Sequence, residues 1–325
     1  MAYHTSGTIL PPALKQGDTV GIVAPAGPVD REQFEFGCAA LRRLGLNPIY
    51  SANIFSQDLY FAGNVKRRID EIHQMLRLAE VKAIFCARGG YGSNYLLPLL
   101  DFDLFANNPK IFCGYSDNTT LLAQVHDRTG LVVFHGPMLA KDFARPDGVH
   151  LRSFASATGA QEPWHVGQQD SPLEALNEGV AEGKLYGGCL SMLVASLGTP
   201  YEIETGETVL FIEDLGEPPY RIDRMLMQLG FAGKMDRVRG IVFGEMCGCN
   251  PPANAGYTLQ NVLKRTLAGL QVPVAFGLRS GHVSFGNITL PIGVRVRLTV
   301  GEEVKLEMLE RATAPRIEEI RVGQS

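Results

Sequence analysis

Lys110-Ile111-Phe112-Cys113-Gly114-Tyr115-Ser116-Asp117-Asn118 carries the chain from a short apolar run into a polar turn, and a helical pattern then continues to Thr129. A run of this kind, apolar on successive residues rather than alternating, is that of a strand buried on both faces. It passes to a helix with almost no connection, so the unit is strand, sharp turn, helix.

The same beat recurs on either side. Upstream, Thr19 to Pro25 is a β-branched apolar run, followed by Asp30 as an N-cap with Gln33 three residues on, and then by Phe34, Cys38, Leu41 and Leu44 at helical spacing. A run at Asn47 to Ala52 precedes a helical stretch from Val65 to Leu78. Another at Val81 to Ala87 leads into Arg88-Gly89-Gly90-Tyr91-Gly92 and a short helix through Leu100, and Leu131 to Phe134 closes the series. Strands that alternate with helices predict an α/β fold with a parallel sheet.

Periodicity fades between Asp147 and Gly179, so residues 1–150 are expected to form one domain, 151–181 a linker and 182–325 a second, smaller domain. In that second part strands are predicted at Val209 to Glu213 and Val238 to Phe243, and helices at Tyr220 to Leu229 and Leu259 to Leu267. A β-rich segment, Ile288 to Met308, carries a hairpin signal at Gly301-Glu302.

Composition narrows the class of function. The 325 residues are 45% hydrophobic and 20% charged, with a formal net charge of -4, the mix of a globular chain with no electrostatic attraction to nucleic acid or an anionic membrane. No apolar run approaches the roughly 20 residues that span a bilayer. Met1 to Gln16 lacks the features of a secretory signal, and the six cysteines are scattered rather than set in a metal or disulfide pattern. The expectation is a reduced, cytoplasmic protein.

Candidate chemistry gathers at strand ends, where open parallel sheets bind ligands. Ser116 sits on the strand-to-helix turn, which lifts a hydroxyl clear of the sheet and aims the next backbone N–H, that of Asp117, at the same space. Asn118 stands where the second glycine of a Gly-x-Ser-x-Gly elbow would be, and a serine or aspartate here also serves as a plain helix cap. The Arg88-to-Gly92 loop lets a backbone approach a ligand closely and present N–H groups to an oxyanion. It lacks the Lys-Ser/Thr of a phosphate loop. Glu213 ends an apolar strand, and Glu217 lies four residues on. Of seven histidines, His4, His150 and His165 fall in poorly patterned stretches, and His73 and His126 within helical patterns. His135 and His282 stand in strand-end or loop contexts. A serine, a histidine and a carboxylate are the ingredients of nucleophilic acyl transfer.

Seven segments, taken in order, resemble the LD-carboxypeptidase family: Gly17 to Gly27, Ala87 to Gly92, Gly114 to Asp117, Phe134 to Met138, Leu210 to Asp214, Pro219 to Leu226, and Gly281-His282 through Thr289 to Gly293. The resemblance runs over nearly the whole chain. It implies a Rossmann-like N-terminal domain and a smaller β-rich C-terminal domain, with Ser116 as nucleophile, His282 as general base and Glu213 as the base's partner. The oxyanion hole falls on the backbone N–H groups of Gly90 and Asp117. Glu217 is the alternative to Glu213, which is preferred because a strand end is held more rigidly than a loop. His135 is left as a structural or pocket residue.

The implied reaction needs no metal and no organic cofactor. The implied substrate is a small peptide, a muropeptide tetrapeptide ending in D-Ala, cleaved during cytoplasmic murein recycling by a homodimer. Arg88 is a candidate anchor for its carboxylates, or else a brace for the Gly-rich loop. A second substrate class within the resemblance is the peptidyl or aminoacyl adenylate cleaved by microcin C self-immunity relatives. A non-enzymatic Rossmann-like anion-binding protein is the alternative of another kind.

Overall fold

The computed structural model describes residues 7–160 and 163–316. The ends of the expected domains, residues 1–6 (with His4) and 317–325, and positions 161 and 162 of the expected linker lie outside them.

Strand β1, Thr19–Val23, feeds helix α1, Arg31–Arg43, and the N-cap Asp30 accepts the Gln33 N–H at 2.9 Å. Strand β2 (Asn47–Tyr50), helix α2 (Val65–Arg77) and strand β3 (Val81–Cys86) follow, then a 3-10 turn at Ser93–Leu99 and the short helix α3, Phe102–Asn107. Strand β4 (Ile111–Gly114), helix α4 (Thr119–Thr129) and strand β5 (Val133–His135) complete the first series. These five strands lie parallel in the order β2-β1-β3-β4-β5. That is a doubly wound order, whose ligand crevice opens where β1 and β3 turn in opposite directions.

The segment from 151 to 181 is not bare connection. It holds helix α5 (Leu151–Thr158), strands β6 (Trp164–Gly167) and β7 (Glu174–Asn177), and the first turnings of strand β8, Gly179–Cys189. β6 and β7 have only four residues each and lie at the two edges of a second sheet, which is why they leave little apolar signal. Helix α6 (Leu190–Ala195), strand β9 (Thr208–Glu213), helix α7 (Pro219–Phe231), strand β10 (Gly240–Gly244), helix α8 (Leu259–Thr266) and strand β11 (Val274–Leu278) come next. Strands β12 (Leu290–Ile292), β13 (Arg295–Val300) and β14 (Val304–Met308) end the described chain. The second sheet runs β6-β14-β13-β8-β9-β10-β11-β7, parallel through β8 to β11 and antiparallel at its flanks.

The halves are interlaced where the site lies. After β11 the chain leaves the second sheet, passes through Gly281-His282, and adds β12 antiparallel to β5 at the edge of the first, with Leu290 opposite His135. The loop bearing His282 is therefore the crossing between the sheets. Phe134, Phe211, Phe243, Ile22 and Leu41 are among the side chains sealed in the core. Burying a side chain of this size is worth about 1.5–3 kcal/mol, and the two rigid frames that result hold the strand ends in place.

Candidate active site

Tyr115 leaves β4 in extended conformation, and Ser116 then takes φ of 62°, a left-handed value that a non-glycine residue adopts only where its surroundings enforce it. What enforces it is visible. Asn118 is fully buried, and its Nδ2 donates to the carbonyls of Tyr115 and Arg88, both at 3.2 Å. Its Oδ1 accepts from the Ser93 hydroxyl at 3.3 Å. The residue that replaces the elbow's second glycine thus staples the serine turn to the Gly-rich loop.

Neither Ser116 nor Asp117 caps α4 with its side chain; the N-cap position is Asn118. Asp117 turns the other way, accepting the Ser93 N–H at 2.8 Å, and burial holds its carboxyl above the ordinary range.

The loop after β3 comes right up to Ser116. A Cβ added to Gly89 would lie 2.7 Å from Ser116 Cβ, 2.9 Å from its Oγ and 3.6 Å from the Asp117 nitrogen. Gly90 adopts φ of 118° and packs on Gly27 beyond β1, whose N–H donates to the Gly89 carbonyl at 3.1 Å. These glycines are needed for close approach and for backbone conformation, the two things only glycine supplies without strain. Arg68 on α2, 1% exposed, donates Nη1 to the carbonyls of Pro25 and Gly92, tying the turn after β1 to the same loop. Exposed Arg88 donates Nη1 to the Pro28 carbonyl at 3.1 Å, so it does brace this turn region.

Glu213 ends β9 with no exposure at all. Its Oε2 accepts two hydrogen bonds from one residue, the backbone N–H of His282 at 3.0 Å and the ring Nδ1 at 2.7 Å. The second bond fixes the tautomer: Nδ1 carries the proton, and Nε2 keeps a free lone pair. Burial works against a charge on His282, but the Glu213 carboxylate, by its charge and its hydrogen bond, outweighs that and holds the imidazole above its ordinary value. The ring stands edge-on to Tyr115, the residue before Ser116, with centroids 5.1 Å apart. Glu217 lies apart from this, accepting from Arg221 Nη1 at 3.2 Å near the surface.

The histidine loop is itself pinned. Asn287, buried, accepts the Gly281 N–H at 3.0 Å and returns a bond to the Gly281 carbonyl at 3.3 Å. Glu245 takes the N–H and hydroxyl of Ser284 at 3.0 and 2.8 Å. At the other end, the Cys189 N–H donates to Thr119 Oγ1 at 3.2 Å, fastening the end of β8 to the start of α4. Sequence reasoning had singled out none of Arg68, Asn287, Glu245 and Thr119, and noted Asn118 only as a departure from glycine. Their signal is long-range contact, which has no local pattern.

The structure thus brings Glu213 onto His282, His282 against Tyr115 beside Ser116, and Gly89 against Ser116. A hydroxyl on a strained turn, an oriented imidazole and a loop of approachable backbone can together carry out acyl transfer through a serine.

Comparison with known proteins agrees. A family model for the LD-carboxypeptidase N-terminal domain matches residues 20–136, and one for the LD-carboxypeptidase C-terminal domain matches residues 182–298. The chain is 40% identical over 296 residues to the probable murein peptide carboxypeptidase of Bacillus subtilis (strain 168), covering 90% of this chain and 92% of that protein. It also resembles the crystal structure of muramoyltetrapeptide carboxypeptidase from Oxalobacter formigenes, at 30% identity and a TM-score of 0.79, covering 91% of this chain and 100% of that one. The microcin C7 self-immunity protein MccF, solved in complex with aspartyl sulfamoyl adenosine, matches at 26% identity and a TM-score of 0.86, covering 94% of this chain and 100% of that one.

Proposed function

The chain belongs to the LD-carboxypeptidase family and is a serine-type carboxypeptidase, and from that premise we propose that it releases the terminal D-amino acid, D-Ala, from muropeptide tetrapeptides through Ser116, His282 and Glu213. The observation that carries the assignment is the 2.7 Å bond from His282 Nδ1 to Glu213 Oε2, made beside a serine held at a positive φ.

In this reading His282 Nε2 takes the Ser116 proton as the hydroxyl attacks the amide carbonyl. Glu213 holds the ring and stabilises the imidazolium that forms. The tetrahedral oxyanion rests on the backbone N–H groups of Gly90 and Asp117, each donor worth about 3 kcal/mol of barrier. The imidazolium then protonates the leaving amine of D-Ala, and water, activated by the same histidine, hydrolyses the acyl-enzyme. The nucleophile comes from the part before residue 150 and its partners from the part after 182, so the cleft lies at their junction. Arg88, bonded to Pro28 yet exposed, is the proposed anchor for a substrate carboxylate.

The identity to a relative named for murein peptides favours this substrate over the adenylate class, which the likeness to MccF keeps as the second reading. The relatives lend nothing to an anion-binding protein without chemistry. The acting species is proposed to be a homodimer working in the cytoplasm on recycled wall fragments. The six cysteines, all free and five of them buried, suit a reducing compartment. Among the described residues no helix is long and apolar enough to cross a membrane.

The test is to incubate wild type and Ser116→Ala with a muropeptide tetrapeptide and measure free D-Ala by mass spectrometry. Release by the wild type alone supports both substrate and nucleophile. Release by both excludes Ser116 as nucleophile. Release by neither, with cleavage of an aminoacyl sulfamoyl adenosine, moves the substrate to the second class.

A further inference from the structure

The second oxygen of the Glu213 carboxylate has no hydrogen-bond partner among the described residues, although it is buried. Facing it at 4.0 Å is His135 Nε2, equally buried, and neither ring nitrogen of His135 has a partner either. Unpaired buried polar atoms are costly and uncommon, and two of them turned toward one another are each other's natural satisfaction.

The frame around His135 is rigid. It ends β5, opposite Leu290 of β12, its ring stacks with Tyr115 at 5.8 Å and 20°, and it meets the Phe211 ring edge-on at 5.0 Å. Burial, with the charge of nearby His282, drives its pKa down to about 3, so it stays neutral and can offer an N–H without adding a cation beside the base. The charged and titratable groups around the pair are His282 itself, on which Asp214 and Lys141 act, Cys189 and Cys247, whose thiols feel the Glu213 charge, and Tyr115, which donates to Asp142 at 3.4 Å.

We propose that His135 is a positioning residue of the triad, its Nε2–H steering Glu213 Oε1 so that Oε2 stays aimed at His282. This rests on the assignment of Glu213 and His282 made above. The donor closes on the carboxylate by about 1 Å, a small side-chain rotation, to reach hydrogen-bond distance. Through that bond it spreads the carboxylate charge and sets how tightly His282 holds its proton.

The experiment compares wild type, His135→Phe, which keeps a flat ring without a donor, and His135→Gln, which restores an N–H. Kinetics on the muropeptide tetrapeptide are measured across pH. The expected result is a fall in kcat of about ten- to a hundredfold in His135→Phe with KM little changed, the cost of one hydrogen bond to a charged group. The acid limb of kcat/KM moves up by about half to one pH unit, because the undiluted carboxylate holds the His282 proton more firmly. His135→Gln recovers most of both. Unchanged kcat and pH limb in His135→Phe, or a His135→Gln no better than His135→Phe at equal thermal stability, overturns the proposal.

A second readout needs no variant: 15N-edited spectra of histidine-labelled wild type must show His135 protonated at Nε2 and bare at Nδ1, and the opposite tautomer overturns it. If wild type does not act on the tetrapeptide, the substrate reading fails while the tautomer measurement still decides the role of His135.

Discussion

Gly281 and Glu213 are packed so closely that a Cβ on the glycine would lie 2.6 Å from the carboxylate carbon of the glutamate. Gly281 also holds φ of 88°, so both space and conformation exclude a side chain there. Gly281→Ala is therefore expected to push Glu213 away from His282. Stability should fall by about 2 kcal/mol, from strain and overpacking together, and kcat should fall out of proportion to that. Urea unfolding and steady-state kinetics check both, and full kcat in the variant would show that the carboxylate's position is not critical.

The glutamate that ends β9 and the one four residues beyond it make opposite predictions. Glu213→Gln keeps the shape but loses the charge and can turn an amide N–H toward His282 Nδ1, which imposes the wrong tautomer, and a change of that kind costs about 10⁴ in kcat in a serine triad. Glu217→Gln removes only a surface pair with Arg221, worth about 0.3–0.5 kcal/mol, and should leave kcat within twofold, roughly the scatter of near-neutral changes. Parallel kinetics on the two variants decide between them. A reversal of the order would exchange the roles of the two residues.

What could be read from the sequence follows from how local each signal is. The strands β1, β3, β4 and β9 are mostly apolar runs, and α1 and α2 carry an apolar face and a capping residue, so each declares itself within ten or fifteen residues. Strand β8 alternates exposed and half-buried positions along its first six residues and carries glycines, Glu182 and Lys184, so its apolar signal is confined to one end. Helix α6 has only six residues, and the pairing of β12 with β5 across more than 150 residues leaves no local trace at all. The site divides in the same way. Ser116, Glu213 and His282 stand out by residue type and by position at strand ends or loops. That Glu213 rather than Glu217 meets His282 depends on where β9 stops relative to the crossing loop, and that Asn118, Arg68 and Asn287 hold the loops depends on contacts made only after folding.

Activity and stability should respond to acid for different reasons. His282 acts as a base only when neutral, and its pKa is held above 6.5, so kcat/KM is expected to fall as pH drops through a limb lying above that value. For stability, a raised histidine pKa favours the fold at low pH, fully below 6.5 and fading as pH rises through the folded value. His135 has the opposite sign. Its folded pKa of about 3 lies below the ordinary 6.5, so the unfolded chain takes up a proton that the fold refuses, and stability is lost as pH falls below 6.5 toward 3. Between pH 7 and pH 5 this amounts to about 2 kcal/mol. Wild type should therefore lose about that much more than His135→Gln over the same interval in denaturant titrations, the other groups being common to both. Equal losses would mean that His135 is protonated in the fold.

Gly89 provides the most local test of how the nucleophile is presented. Its φ lies outside the left-handed region, so alanine strains no backbone there, and the only new element is a methyl 2.7 Å from Ser116 Cβ and 2.9 Å from Oγ. Contacts that short cannot stand, so either the serine turn or the loop must shift. Asn118 ties the two together, which leaves Ser116 to absorb the displacement. A shift of this order in a reacting atom costs about a hundredfold in rate, while the loop's exposed side limits the loss of thermal stability. Gly89→Ala should accordingly unfold within a few degrees of wild type, the span of roughly 1 kcal/mol in a chain of this size, and still turn over substrate a hundredfold more slowly. A serine-reactive phosphonate distinguishes the cause: slower labelling in Gly89→Ala than in wild type would place the defect at the nucleophile itself. Equal labelling with slow turnover would place it in the oxyanion loop. Wild-type rates in both assays would mean that the loop does not press on Ser116 as closely as these contacts require.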